Sequence, residues 1–195
     1  MPSSRASWAD EIRVQLGTSA EILRQTAGQA ELLASMAAAM TDCLRAGGKV
    51  LLCGNGGSAA DAQHVATELV ARYKRDRRPL AAISLAGDAT YLTAQSNDVS
   101  FDTVFARQVE ALGAKADVLW AFSTSGGSRN VLAAAKKARQ NGLLTIGFTG
   151  AGGGALKPLL DYCLCVPSSD TPRIQEAHIA AAHVICDLVE EALAG

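Results

Sequence analysis

Long hydrophobic runs are absent from this 195-residue chain. No uninterrupted apolar stretch approaches the roughly 20 residues that cross a bilayer, so no membrane association is expected. The N-terminal segment MPSSRASWADEIR is polar and lacks the apolar core of a secretory leader. An excess of either charge is also missing: 18 Lys and Arg stand against 19 Asp and Glu, a net charge of −1. Such a chain makes no global field that would draw it to nucleic acid or an anionic surface. The five cysteines, Cys43, Cys53, Cys163, Cys165 and Cys186, form no C-x-x-C pair. An odd count without metal spacing fits buried, reduced thiols in a cytoplasmic protein. The pattern G-x-x-x-x-G-K-[ST] is absent, which excludes a nucleotide P-loop. Internal repeats and low-complexity linkers are missing too.

What is present is a chain with 49% hydrophobic and 19% charged residues, enough for one full-sized core. Residues 7–46 carry apolar side chains at helical spacing, and Gly47-Gly48 stops the run. Gly28 divides this region into two predicted helices. The extension is Ala-rich and amphipathic, suited either to completing the domain's own surface or to packing on another subunit. From residue 49 onward short apolar runs alternate with helical segments. The runs are KVLLC, LAAISL, DVLWAF, LLTIGF and DYCLCV, and a long helix closes the chain. This alternation predicts an α/β fold: a five-stranded parallel sheet flanked by helices, a flavodoxin- or Rossmann-like sandwich. The expected organisation is a single domain over residues 1–195, with residues 1–47 as an N-terminal helical extension. Cys163 and Cys165, two apart on a strand, are expected to face one side.

In such a sheet ligands bind beyond the carboxyl ends of the strands. Three strand ends carry glycine-rich turns: GNGGSAAD from Gly54, STSGGS from Ser123 and TGAGGG from Thr149. STSGGS puts hydroxyls at Ser123, Thr124, Ser125 and Ser128 beside a helix N-terminus, where amide donors and the helix dipole favour an anion. The plain alternative is an ordinary strand–helix turn capped by Ser128, but four hydroxyls in six residues exceed what a cap needs. GNGGSA matches the dinucleotide pattern G-x-G-x-x-G only if Ala stands for the last Gly, and no acidic residue ends the second strand in support. The glycines of TGAGGG read as a flexible turn.

On a helix over residues 58–72, Asp61, His64, Glu68 and Arg72 share one stripe, while Ala62, Val65 and Leu69 share another. By itself the polar stripe would be a solvated face with weak i,i+4 pairing. Its start directly after a ligand-binding turn suggests more. The terminal segment RIQEAHIAAAHVICDLVEEAL brings Gln175, Glu176, His178 and His183. Glu176 and His183 are nearly aligned, Gln175 lies about 80° from His183 around the helix, and His183 is expected in a buried setting. His64, Glu68 and His183 offer the nitrogen and oxygen donors that suit zinc or a similar divalent ion. Spacing alone does not bring the two helices together. The basic cluster RYKRDRRP, Arg72 to Pro79, reads as a solvated loop after a helix C-terminus.

Together GNGGSAADAQHVATEL, SND from Ser96, STSGGS and RIQEAHIAAAHVI closely resemble the sedoheptulose 7-phosphate (phosphoheptose) isomerases of the sugar isomerase (SIS) group. The resemblance runs from about residue 15 to the C-terminus. It implies one SIS domain and an aldose–ketose isomerase that converts sedoheptulose 7-phosphate to D-glycero-D-manno-heptose 7-phosphate, for bacterial heptose and lipopolysaccharide-type synthesis. Asn55, Gly56, Gly57, Asn97 and Asp98 would contact the sugar phosphate, with Glu68 and Gln175. Ser123, Thr124, Ser125 and Ser128 would hold the phosphate. His64, Glu68, Gln175 and His183 match the family's zinc ligands, one Zn2+ per subunit, and Glu68 and His183 match its acid–base pair. A homotetramer with active sites between subunits is implied, which would let the two helices meet across chains. Some members carry an Asp where this chain has Pro172; Asp170 lies close by. Two other readings stay within the group. One is a different SIS activity, against which RIQEAH speaks. The other is a non-catalytic adaptor that binds the replication initiator DnaA, but that relative lacks the Glu and the terminal His that stand here as Glu68 and His183.

Overall fold

A computed structural model describes residues 5–194; residues 1–4 of the predicted extension, and Gly195, lie outside the described residues. The extension is two helices, α1 (Arg5–Thr26) and α2 (Ala30–Arg45), joined by a 3-10 turn at Ala27–Gln29. The break falls at Gly28 as its low helix propensity leads one to expect. α2 belongs to the domain: Met36, Met40 and Leu44 are buried in the main core. α1 leaves Ile12, Val14 and Leu16 exposed.

The rest alternates as the sequence pattern predicts. β1 (Val50–Cys53) leads to α3 (Gly57–Val70), and β2 (Ala82–Ser84) to α4 (Ala89–Asp98) and α5 (Val104–Leu112). β3 (Val118–Ser123) leads to α6 (Arg129–Gln140). β4 (Leu144–Thr149) is followed only by a 3-10 turn at Lys157–Leu159, and β5 (Tyr162–Cys165) by α7 (Thr171–Leu193). All strand pairs are parallel, in the order β2-β1-β3-β4-β5. The order reverses between β1 and β3, so the crevice at the carboxyl ends of those two strands is the expected ligand site.

Both faces of β3 are buried, as a central parallel strand requires. Val118, Trp120 and Phe122 point into a core with α2, α3 and α7, where the Trp120, Phe122 and Phe148 rings lie 5.2–5.4 Å apart. Leu119 and Ala121 point into a second core with Phe105, Val131 and Ala134 from α5 and α6. Among the described residues no helix is long and apolar enough to cross a membrane.

Three sequence expectations need correction. α3 ends at Val70, so Arg72 lies beyond the helical stripe. Cys43, Cys53 and Cys186 are buried, but Cys163 and Cys165 are only half-buried; they do share a face, with sulfurs 3.7 Å apart. The buried histidine of α7 is His178, not His183. His178 Nε2 lies 3.2 Å from the Thr149 carbonyl, with the ring against Phe122 and Phe148. Burial holds the His178 pKa down at about 4, against a smaller upward pull from that carbonyl. A depressed histidine favours folding above its unfolded pKa of about 6.5, and the contribution disappears as pH falls towards 4. Urea unfolding at pH 7 and pH 4.5 should therefore show the wild type losing about 2–3 kcal/mol more than a His178→Leu variant loses over the same interval.

Candidate active site

The turn after β1 is shaped for a close approach. Gly56 has φ +56°, a left-handed conformation natural to glycine, and hands directly into α3. A Cβ on Gly57 would lie 2.4 Å from Gln175 Nε2, so only glycine lets the Gln175 side chain lie across the first turn of α3. Asn55 and Asn130 exchange amide hydrogen bonds of 2.9 Å, which ties this turn to the start of α6.

That tie places the second turn alongside the first. Ser123 Oγ and Ser128 Oγ are 3.1 Å apart, and Ser125 Oγ accepts from the Gly127 N–H at 3.1 Å. Ser128 occupies the cap position of α6, yet its hydroxyl makes no capping bond. The helix end thus keeps amide donors for an incoming anion. The glycines of TGAGGG are scaffolding for this turn. Gly126 has φ +61°, and a Cβ there would meet the Gly153 carbonyl at 2.2 Å. The Gly150 N–H donates to the Thr124 carbonyl and the Leu156 N–H to the Gly126 carbonyl, both at 2.9 Å. A hollow of about 200 Å³ next to it is lined by Thr124, Ser125, Ala151, Ser168, Ser169 and Thr171.

α3 and α7 pack side by side in one chain, so the two helices, which spacing alone does not bring together, meet without a second subunit. Gln175 meets Gly57 at one end, and His183 meets His64 further along. The donor atoms of His64, Glu68 and His183 all lie within 4.8 Å of one another. His64 Nε2 is 3.0 Å from Glu68 Oε1 and 3.0 Å from His183 Nε2. The pKa of His183 is lowered, first by burial and then by neighbouring His64 and Lys74, while Glu68 pulls the other way. Two imidazole nitrogens and a carboxylate oxygen turned towards one point are the donor set of a zinc-type ion. Gln175 stands about 12 Å along the α7 axis from His183, eight residues at 1.5 Å each. Asp61 lies one turn ahead of His64; burial raises its pKa to about 6, against the pull of His64, and its Oδ2 is buried without a partner.

Asn97 and Asp98 are exposed at the end of α4, where Asn97 donates to Asp98 at 2.9 Å. Among the described residues no hydrogen bond links them to the Ser123–Ser128 turn or to the histidine–glutamate group.

This arrangement has clear relatives. A family model described as SIS domain matches residues 16–150. A phosphoheptose isomerase of Roseiflexus sp. is 52% identical over 92% of this chain and 91% of its own length. One from Rhodospirillum rubrum is 51% identical over 94% of this chain and 98% of its own. The solved phosphoheptose isomerase of Neisseria gonorrhoeae superposes with a TM-score of 0.90 at 40% identity, covering 94% of this chain and 99% of that one. The chain belongs to the phosphoheptose isomerase family of SIS domains.

Four structural residues of this chain carry little or no signal in the sequence. Asn130 carried no signal beyond its place two residues after Ser128. Tyr73, Arg77 and Glu190 lie where the sequence predicts a solvated loop and a plain helix end. The loop is not simply solvated. Glu190 is fully buried and accepts from the backbone N–H groups of Tyr73, Lys74 and Arg75 at 2.8, 2.6 and 2.8 Å. The Arg77 side chain, 1% exposed, lies 3.2 Å from Glu190 through Nε. Burial alone would raise the Glu190 pKa, but the three amide donors and Arg77 outweigh it and hold the carboxyl below its ordinary range. The one available cue was a Glu at position 190 on the apolar stripe of α7.

Proposed function

We propose that the chain converts sedoheptulose 7-phosphate to D-glycero-D-manno-heptose 7-phosphate, an aldose–ketose isomerisation in bacterial heptose synthesis of the lipopolysaccharide type. One observation carries this reading: Glu68 and His183, remote in sequence, converge on one point in a single chain. The isomerisation moves a proton between C1 and C2 of the open-chain sugar through an enediol, which calls for a base at carbon and a proton donor at oxygen. Glu68 Oε1 faces His64, which leaves Oε2 to take the proton from carbon. His183 is the donor at the oxygen. The hydroxyls of Ser123, Thr124, Ser125 and Ser128, with the α6 N-terminus, hold the phosphate at the far end and orient the reacting carbons. Asn55, Gly56, Gly57 and Gln175 line the approach between them, and Asn97 and Asp98 complete the substrate contacts.

His64, Glu68 and His183 would hold one Zn2+ per subunit; Gln175, the fourth donor that the resemblance implies, lies across Gly57 and would have to turn away from it to reach the same ion. When bound, such an ion would polarise the substrate carbonyl. Dialysis against a strong chelator should abolish turnover, and added zinc should restore it; full activity in metal-free protein, verified by elemental analysis, would refute the metal assignment. A homotetramer in the cytoplasm is part of the same reading. The uncovered apolar side chains of α1, Leu23 among them, and of Val184 and Leu188 on α7 support an assembled state. The functional reading is tested by incubating the protein with sedoheptulose 7-phosphate and following the aldose by NMR. No conversion, with or without zinc, would remove it. No feature of the site favours the DnaA adaptor.

A further inference from the structure

The segment between Ala71 and Pro79 is the most charged in the chain, and the reaction just described makes no use of it. It leaves α3 directly after Glu68 and returns to the sheet before β2. Charged loops of this kind normally wave in solvent, but this one is wrapped around a carboxylate. Three consecutive N–H groups, Tyr73 to Arg75, close on Glu190. Outside that ring Lys74 Nζ and Arg75 Nη1 reach Asp187 at 2.8 and 2.6 Å. The buried Arg77 guanidinium also donates through Nη2 to the Glu68 carbonyl at 2.9 Å. Asp187 and Glu190 sit on the same helix as His183, one and two turns further on. The loop therefore fastens the end of the helix carrying His64 and Glu68 to the helix carrying His183.

The fastening has a consequence at the active site. It sets the Tyr73 ring against His183, with centroids 5.4 Å apart and planes at 22°. The His64 ring lies with its centroid 5.0 Å from His183, tilted by 57°. His183 is only half-buried, and although its Nε2 meets His64 Nε2 at 3.0 Å, its ring would be free to tilt about that contact without a wall on the Tyr73 side. A stacked ring removes that freedom without touching the nitrogens that do the chemistry.

We propose that Tyr73 is a positioning residue for the isomerase reaction, holding the His183 imidazole in its productive orientation, and that Glu190 acts through it by fixing the loop. This rests on the isomerase reading above. The effect belongs on kcat, because His183 meets the reacting oxygen, whereas the phosphate that dominates substrate affinity is held at the Ser123–Ser128 turn. A small misplacement of a proton donor costs about 10- to 100-fold in rate.

The test uses the full-length protein. Tyr73→Leu should lower kcat by about 10- to 100-fold with KM changed less than about threefold, and Tyr73→Phe, which keeps the ring, should retain wild-type kcat. A second readout needs no turnover. In protein labelled with 13C at histidine Cε1, the His183 proton, assigned with a His183→Gln variant, lies in the shielding region of the tyrosine ring. Its resonance should move downfield in Tyr73→Leu and stay in place in Tyr73→Phe. Glu190→Gln should move it in the same direction by a smaller amount. An unchanged kcat in Tyr73→Leu overturns the proposal whatever the resonance does, as does a loss confined to KM. An inactive wild type would sink the isomerase reading itself, and the resonance would still report whether Tyr73 holds the ring.

Discussion

Glu68→Gln is expected to lower kcat for sedoheptulose 7-phosphate on the order of 10³-fold, with KM changed little and the melting temperature unmoved. The substitution keeps the size of the side chain and one carbonyl oxygen, so packing between α3 and α7 is retained. What it removes is the group proposed to accept a proton from carbon. General acid–base catalysis accounts for about 10²- to 10⁴-fold in rate, and the variant also loses the charge at the point where His64 and His183 converge. In the proposed mechanism substrate affinity rests mainly on the hydroxyls of the Ser123–Ser128 turn, beside the α6 N-terminus, which the change leaves untouched. Steady-state kinetics with a thermal melt on the same sample checks this. Activity within about tenfold of wild type would show that Glu68 does not carry the proton.

The second large effect is on stability. Glu190→Leu should cost about 4 kcal/mol or more, a large share of the 5–15 kcal/mol that holds a typical domain together. Leucine fills the space but accepts nothing. Three amide donors now paired with Glu190 would be left without their acceptor, each orphaned donor costing about 1–3 kcal/mol, and the Arg77 charge would lose its ion-pair partner. Removing one partner of a buried ion pair alone costs about 3–5 kcal/mol. Urea denaturation should show a markedly lower midpoint, whereas Glu190→Gln, which keeps one acceptor oxygen, should lose much less. A Glu190→Leu variant within about 1 kcal/mol of wild type would mean that the loop supplies its own partners.

The sheet was legible because each strand is a short apolar run buried on both faces and each crossover is a helix with its own period. Even the break at Gly28 followed from one residue's backbone preference. The site was legible in pieces. Hydroxyl density marked the Ser123–Ser128 turn, and i,i+4 spacing marked His64 with Glu68. Their meeting with His183 was not, because helical periodicity describes one helix at a time and carries no information about which helix packs beside it. The same blindness exchanged the two histidines of α7. His178 and His183 are five residues apart and so lie on different faces, and only the packing of α7 against the Phe122 and Phe148 rings decides which one is buried. The loop at Arg72 to Pro79 misled for a different reason. A run of cations reads as solvated unless its acidic partner is known, and Glu190 stands more than a hundred residues downstream. Asn130 was invisible because an asparagine in a first helical turn is ordinary until Asn55 is seen opposite.

The convergence of Glu68 and His183 on an enediol is tested most directly by running the reaction in deuterated water. Purified protein with zinc and sedoheptulose 7-phosphate should give the aldose heptose 7-phosphate, with deuterium at C2 detected by NMR and mass spectrometry. Absence of any aldose, or an aldose formed equally fast by the Glu68→Gln variant, would contradict the account.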